Sequence, residues 1–154
     1  MPIYYLDSSA AVKKYVKEVG TSRVVDLFRN SASDPVYVSQ IVGVEIVSAI
    51  TRRFRGGDLT EQAAQRALER FRRDFQSRLR ILRLTDGVVS EAMLVAETYG
   101  LRAYDAVQLA VSLELRRRSA DTHLPLTFVS SDDELNQAAR IEGLTVEDPN
   151  LSRE

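Results

Sequence analysis

Four acidic residues stand beside or inside apolar runs, where a folding chain has least use for them: Asp7, Glu45, Asp105 and Asp132. Asp7 closes Ile3-Tyr4-Tyr5-Leu6, and Glu45 interrupts Ile41-Val42-Gly43-Val44-Glu45-Ile46-Val47. Asp105 opens Ala106-Val107-Gln108-Leu109-Ala110-Val111, and Asp132 follows Leu126-Thr127-Phe128-Val129 after Ser130-Ser131. A carboxylate taken out of water neutralises, pairs or binds a metal, because its bare charge is costly to bury. Two like charges about 4 Å apart repel by about 4 kcal/mol even at an effective dielectric of about 20. Four carboxylates sharing one pocket therefore need cations, or some must hold protons at raised pKa. An all-oxygen donor set suits Mg²⁺ or Mn²⁺. Such ions activate water, polarise a phosphoryl oxygen and stabilise a leaving oxygen.

Each acid also has an ordinary structural reading. Val42, Glu45, Ile46, Ala49 and Ile50 follow helical spacing, so Glu45 falls within the core-facing stripe, where an arginine could pair with it. Asp105 suits the N-cap of the helix it opens, and a helix N-terminus favours negative charge in any case. Asp after a strand, as at Asp7, is a common turn residue. Ser131 with Glu134 reads as a capping box, which explains Glu134 and leaves Asp132 and Asp133 in a first turn. Ser130 is placed to hold a neighbouring carboxylate or water.

The elements that must position these acids alternate between short apolar runs and helical stretches. Strands are expected at Ile3–Leu6, Val36–Val38, Leu79–Leu84, Leu126–Val129 and Leu144–Val146. Helices are expected from Ser8 or Ser9 to about Lys17, over Thr21–Ala32, from a Ser39 cap to about Arg55, from Thr60 to about Ser77, over Thr85–Tyr99, over Tyr104–Arg118 and over Ser131–Glu142. Uniformly apolar strands alternating with helices argue for an α/β fold with a parallel sheet covered on both faces. In open sheets of this kind ligands bind outside the carboxyl ends of the strands, where Asp7 and Asp132 fall by element order.

The 154 residues suit one domain with a core that needs no crosslinks. With no cysteine there is no disulfide framework, thiolate zinc site or cysteine nucleophile. The single histidine, His123, lies in a polar loop and gives little support to a zinc site or a Ser–His–Asp triad. No apolar stretch reaches the length of a membrane span and no signal peptide is evident, so the expected location is the cytoplasm. Gly56-Gly57 lacks the Gly-Lys-Ser/Thr of a phosphate loop. Net charge is −1, yet the cations are mostly arginine, clustered at Arg52-Arg53-Phe54-Arg55, Arg70 to Arg73 and Arg116-Arg117-Arg118. Arginine favours bidentate phosphate contact, so a basic rim around an acidic site would suit a polyanion; solvated helix faces are the plainer reading. Tyr104, beside Asp105, could stack on a base.

Taken together, Tyr4-Tyr5-Leu6-Asp7-Ser8-Ser9-Ala10, Glu45 in its apolar helix, Leu101-Arg102-Ala103-Tyr104-Asp105-Ala106-Val107-Gln108-Leu109-Ala110 and Phe128-Val129-Ser130-Ser131-Asp132 resemble the PIN-domain family. The resemblance is greatest to VapC-type toxins of toxin–antitoxin systems, and it spans nearly the whole chain. It implies a single PIN-like domain over residues 1–154, a three-layer α/β/α fold with a central, mostly parallel sheet, and a Mg²⁺- or Mn²⁺-dependent endoribonuclease. By the family pattern Asp7 and Asp105 match the main metal-binding acids, Glu45 the helix acid and Asp132 the fourth, with Ser130 and Ser8 in support. The family further implies an RNA substrate, an antitoxin covering the active site, and a homodimer. Gln108 stands where many relatives carry His, and Asp133 competes with Asp132 for the fourth place.

Two other readings compete. A catalytically silent PIN-like module would bind RNA or a partner without cleaving it. A phosphotransfer domain would also place Asp after parallel strands, but all three lysines lie between residues 13 and 17 and no second Asp follows Asp7 by two.

Overall fold

The computed structural model describes residues 1–152. Five strands form one wholly parallel sheet in the order β3-β2-β1-β4-β5, from β1 (Ile3–Leu6), β2 (Val36–Ser39), β3 (Arg80–Leu82), β4 (Leu126–Val129) and β5 (Thr145–Glu147). The helices are α1 (Ser8–Ala11), continued by a 3-10 turn over Val12–Lys14, α2 (Thr21–Arg29), α3 (Val42–Arg55), α4 (Glu61–Ser77), α5 (Asp86–Tyr99), α6 (Ala103–Ser119) and α7 (Asp133–Ile141). The expected three-layer architecture is present, and the sheet is parallel throughout rather than mostly so.

Strand alternation builds the layers. Ile3 and Tyr5 of β1 and Leu126 and Phe128 of β4 point to the face covered by α5, α6 and α7. Leu6 and Val129 point to the opposite face with Val36 and Val38, under α1, α2, α3 and α4. With both faces buried, each strand can be apolar on both sides. From β1 the chain winds outward to β2 and β3, then crosses back to β4 and β5 on the other side. The order therefore reverses between β1 and β4, and a crevice opens beyond their carboxyl ends. The backbone N–H of Asp7 donates to the Val129 carbonyl at 3.1 Å, which keeps these two strand ends in register.

The helix starts differ from expectation in an instructive way. Asp7, not Ser8 or Ser9, caps α1 by accepting from the Ala10 N–H. Asp132, not Ser131, caps α7 by accepting from the Leu135 N–H. Asp105 is not a cap: Arg102 takes that place and Asp105 lies in the first turn of α6. The start of α2 has no side-chain cap, since Gly20 precedes it at φ 86°, and a Cβ there would meet the Pro149 carbonyl at 2.8 Å. Ser39 ends β2, and α3 begins three residues later. Two helices are shorter than expected: α2 stops at Arg29, and the first helix closes as a 3-10 turn at Lys14. A cap needs extended backbone dihedrals as well as an oxygen, and the dihedrals follow from where the strand lets go.

Candidate active site

All four acids sit at the N-cap or in the first turn of a helix: Asp7 on α1, Glu45 on α3, Asp105 on α6 and Asp132 on α7. Amide groups and the helix dipole at such termini favour negative charge, so four helix starts can gather four carboxylates at one end of the sheet.

Asp7 lies deepest, at 2 % exposure. Its Oδ1 accepts from the Ser9 hydroxyl at 2.7 Å and the Ala10 N–H at 3.0 Å, and its Oδ2 accepts from the Ser130 hydroxyl at 2.7 Å. None of these donors is charged. Burial pushes the Asp7 carboxyl up to about 7, although the donors from Ser130, Ser9 and Ala10 pull the other way, and the charge of Glu45 adds to the rise. Glu45 is half-buried, and burial raises its pKa against the pull of Ser8 and Gln108, with Asp105 adding to the rise. Asp105 is raised by burial and then by Asp132, while Arg102 opposes. The acids thus influence one another in sequence around the crevice, Asp7 to Glu45 to Asp105 to Asp132. Asp133 is exposed and Asp132 half-buried, and the charge of Asp132, more than that of Glu134, adds to the rise at Asp105.

Among the described residues, no three carboxylate or imidazole groups stand close enough to form a ready-made metal cage. Of the four acids Glu45 lines an open cleft of about 420 Å³ between α1 and α3, together with Ser8 and Ser9 next to Asp7 in sequence, Tyr104 next to Asp105 and Ser131 next to Asp132; Lys13 and Arg52 also line it. The donor set fits Mg²⁺ or Mn²⁺ in chemistry, being all oxygen. It fits in charge as well, since among the described residues buried Asp7 has no cation of its own.

The pattern of the PIN domain family matches residues 4–141. The chain belongs to the PIN domain family. Within it, ribonuclease VapC45 of Mycobacterium tuberculosis strain CDC 1551 / Oshkosh and ribonuclease VapC49 of strain ATCC 25618 / H37Rv are each 35% identical over 113 residues, covering 73% of this chain and 76% of the relative. The PIN fold also superposes on FitAcB from Neisseria gonorrhoeae with a TM-score of 0.64 at 18% identity, covering 97% of this chain and 99% of that one. VapBC2 from Rickettsia felis, solved bound to a DNA fragment from its promoter, gives 0.61 at 18% identity, covering 95% and 98%.

Two residues of this PIN domain escaped the sequence reading as parts of the site. Ser9 bridges the strand ends: its hydroxyl donates to Asp7 and accepts from the Ser131 N–H at 2.9 Å. Its only local signal is its place two residues after Asp7. Gln108 is wholly buried, donates from Nε2 to Glu45 Oε1 at 2.6 Å, and accepts on Oε1 from the Tyr5 hydroxyl. Its signal is helical: it lies one turn beyond Asp105, on the same face.

The arginine clusters separate. Arg52 and Arg53 line the cleft. Arg53 pairs with Glu18 at 2.5 Å, as does Lys13 at 2.8 Å. Arg117 and Arg118 pair with Glu114, and Arg116 donates to the Glu142 carbonyl, so that cluster is helix-face chemistry. Tyr104 is exposed at the cleft, and His123 is an exposed loop residue with φ 53°.

Proposed function

We propose that this PIN domain is a Mg²⁺- or Mn²⁺-dependent endoribonuclease, the toxin of a VapBC-like toxin–antitoxin pair, acting in the cytoplasm. The observation that carries the reading is Asp7: a carboxyl buried at the topological switch point, held by three neutral donors and, among the described residues, by no cation. The ribonuclease names of its two Mycobacterium tuberculosis relatives support the same chemistry.

Asp7, Glu45, Asp105 and Asp132 would hold the metal. When bound, it supplies a water acidic enough to attack a phosphodiester and charge to steady the leaving oxygen. The chain's own part is orientation. Ser9 and Ser130 fix the Asp7 carboxylate, and Ser8 donates to Glu45 Oε2 at 2.8 Å. Arg52, on the cleft wall, offers a phosphate contact beyond the acids, and Tyr104 an aromatic face for a base. The partners proposed are RNA, an antitoxin and a second copy of the chain. Among the described residues no helix is long and apolar enough to cross a membrane.

The test is cleavage of single-stranded RNA with Mg²⁺ or Mn²⁺, with EDTA, and with Asp7→Asn. Activity that survives EDTA removes the metal from the reading. RNA bound but not cut, with no metal-induced stabilisation, leaves the silent binding module.

A further inference from the structure

We propose that Tyr5 and Gln108 are positioning residues that aim the Glu45 carboxylate into the cleft between α1 and α3. The proposal rests on the metal-site reading above and concerns residues that touch neither metal nor substrate.

Gln108 occupies a core position on α6, wholly buried beside Leu109, Ala110 and Leu113. An apolar side chain there would need no partners, whereas a buried amide must satisfy both its ends. Glu45 decides which end faces which way. A carboxylate only accepts, so the amide must present Nε2 to Glu45 and leave Oε1 for the Tyr5 hydroxyl, which must then donate. One arrangement satisfies all three groups.

The far end of the relay is anchored. The Tyr5 ring stacks on Phe128 with centroids 5.7 Å apart and planes 15° apart, so its direction is set by the adjacent strands β1 and β4. These are the strands whose carboxyl ends carry Asp7 and lead to Asp132. The relay thus ties Glu45 on α3, through α6 with its Asp105, to the strand pair that holds the other two acids. At the near end Gln108 engages one Glu45 oxygen and Ser8 the other. One donor on each oxygen stops the carboxylate rotating, yet leaves each oxygen a free lone pair for a ligand.

Three variants test this: Tyr5→Phe, Gln108→Met and the double variant. The readouts are the melting temperature without metal, the apparent Mn²⁺ affinity from the metal-induced rise in melting temperature, and kcat and KM for RNA cleavage. Gln108→Met is expected to weaken Mn²⁺ binding about tenfold or more. It should also lower the metal-free melting temperature, because the Tyr5 hydroxyl loses its acceptor. The double variant removes both polar groups, so the metal-free melting temperature should recover while Mn²⁺ affinity and kcat stay low and KM changes little. Tyr5→Phe alone, the mildest change, should weaken Mn²⁺ binding by a few-fold. A double variant that binds Mn²⁺ as the wild type does would make the relay a packing device and overturn the proposal. Unchanged affinity in Tyr5→Phe removes Tyr5 from it. If the wild type neither binds Mn²⁺ nor cleaves RNA, the metal-site reading falls, and the relay's role with it.

Discussion

Asp7 and Asp74 are both carboxylates buried beyond 90 %, and the protein treats them in opposite ways. Asp74, near the end of α4, receives Lys14 at 2.7 Å and the Tyr15 hydroxyl at 3.0 Å. Burial pushes Asp74 up, but the hydrogen bond and charge of Lys14, with Tyr15 and Arg78, outweigh it and hold the group below the usual carboxylate range. Asp7 has comparable hydrogen bonding, entirely from neutral donors, and burial wins. Asp74 is completed by the fold, whereas Asp7 has no counter-charge among the described residues and is the acid proposed to take a cation from outside. What sets the proposed site acid apart is therefore a buried carboxyl without a counter-charge among the described residues, since burial and hydrogen bonding are common to both.

Exchange of the two carboxylates for neutral groups should separate them most. Asp7→Asn is expected to cut RNA cleavage by about a thousandfold, while metal-free stability at pH 8 holds or rises, because a penalised charge is gone. RNA cleavage assays and thermal melts on the same preparation would show whether activity and stability part company. Asp74→Ala should do the reverse. Loss of one partner of a buried pair strands Lys14 and the Tyr15 hydroxyl, at about 3 kcal/mol once the partial exposure of Lys14 is allowed for. Urea unfolding measures the loss, and cleavage per folded molecule should stay near wild type; a large fall in kcat would spoil the contrast.

The pH dependence of stability sharpens it further. Folded Asp7 titrates at about 7, against about 3.9 for an unfolded Asp. Below about pH 4 both states are protonated and Asp7 makes no difference. Between about 4 and 7 the unfolded chain has released its proton while the folded chain keeps it, so stability falls as pH rises. Glu45 and Asp105, also raised, add to the fall. Asp74 has the opposite sign: its contribution is present above about pH 4 and lost as pH drops through its lowered pKa. Metal-free protein melted between pH 5 and 7 should lose on the order of 2 kcal/mol, and Asp7→Asn should flatten most of that slope. A slope unchanged in Asp7→Asn would show that Asp7 is compensated after all.

The smallest effect concerns Asp132, which caps α7 and is also a proposed site acid. Asp132→Ser keeps an oxygen for the Leu135 N–H and should stay within about 0.5 kcal/mol of wild type, whereas Asp132→Ala should lose about 1 kcal/mol. Both should reduce cleavage by about tenfold. Differential scanning calorimetry beside kinetics distinguishes the cap from the carboxylate.

Much of the fold was legible because apolar strands and amphipathic helices carry their period in local spacing. The five strands fall where the apolar runs predict, and α5 ends at Tyr99 as expected, with Gly100 after it in the left-handed conformation. The caps were less legible. Ser131 with Glu134 reads as a capping box in any sequence, yet the backbone places Asp132 at the cap, because β4 and the hydrogen bond from Ser130 N–H to the Glu147 carbonyl decide where the extended chain ends. Glu45 read as core-facing, and it lies half-buried at the margin of its stripe, with Ile46 and Ile50 taking the interior. That margin is what lets it border both the core amide of Gln108 and the cleft.

By itself the sequence determined the alternation of strands and helices, the acids at strand and helix boundaries, and the family motifs, all of which are written in neighbours a few residues apart. Only the tertiary structure decided which polar groups meet. Tyr5 reaches Gln108 across 103 positions, Ser130 reaches Asp7 across 123, and Lys14 meets Asp74 across 60. The physical reason is that a hydrogen bond depends on angle and on distances of about 3 Å, which strand order and helix packing set and local composition does not. Hence Asp74, one acid among many in a polar helix, acquired its lysine, and Asp7 has no cation among the described residues.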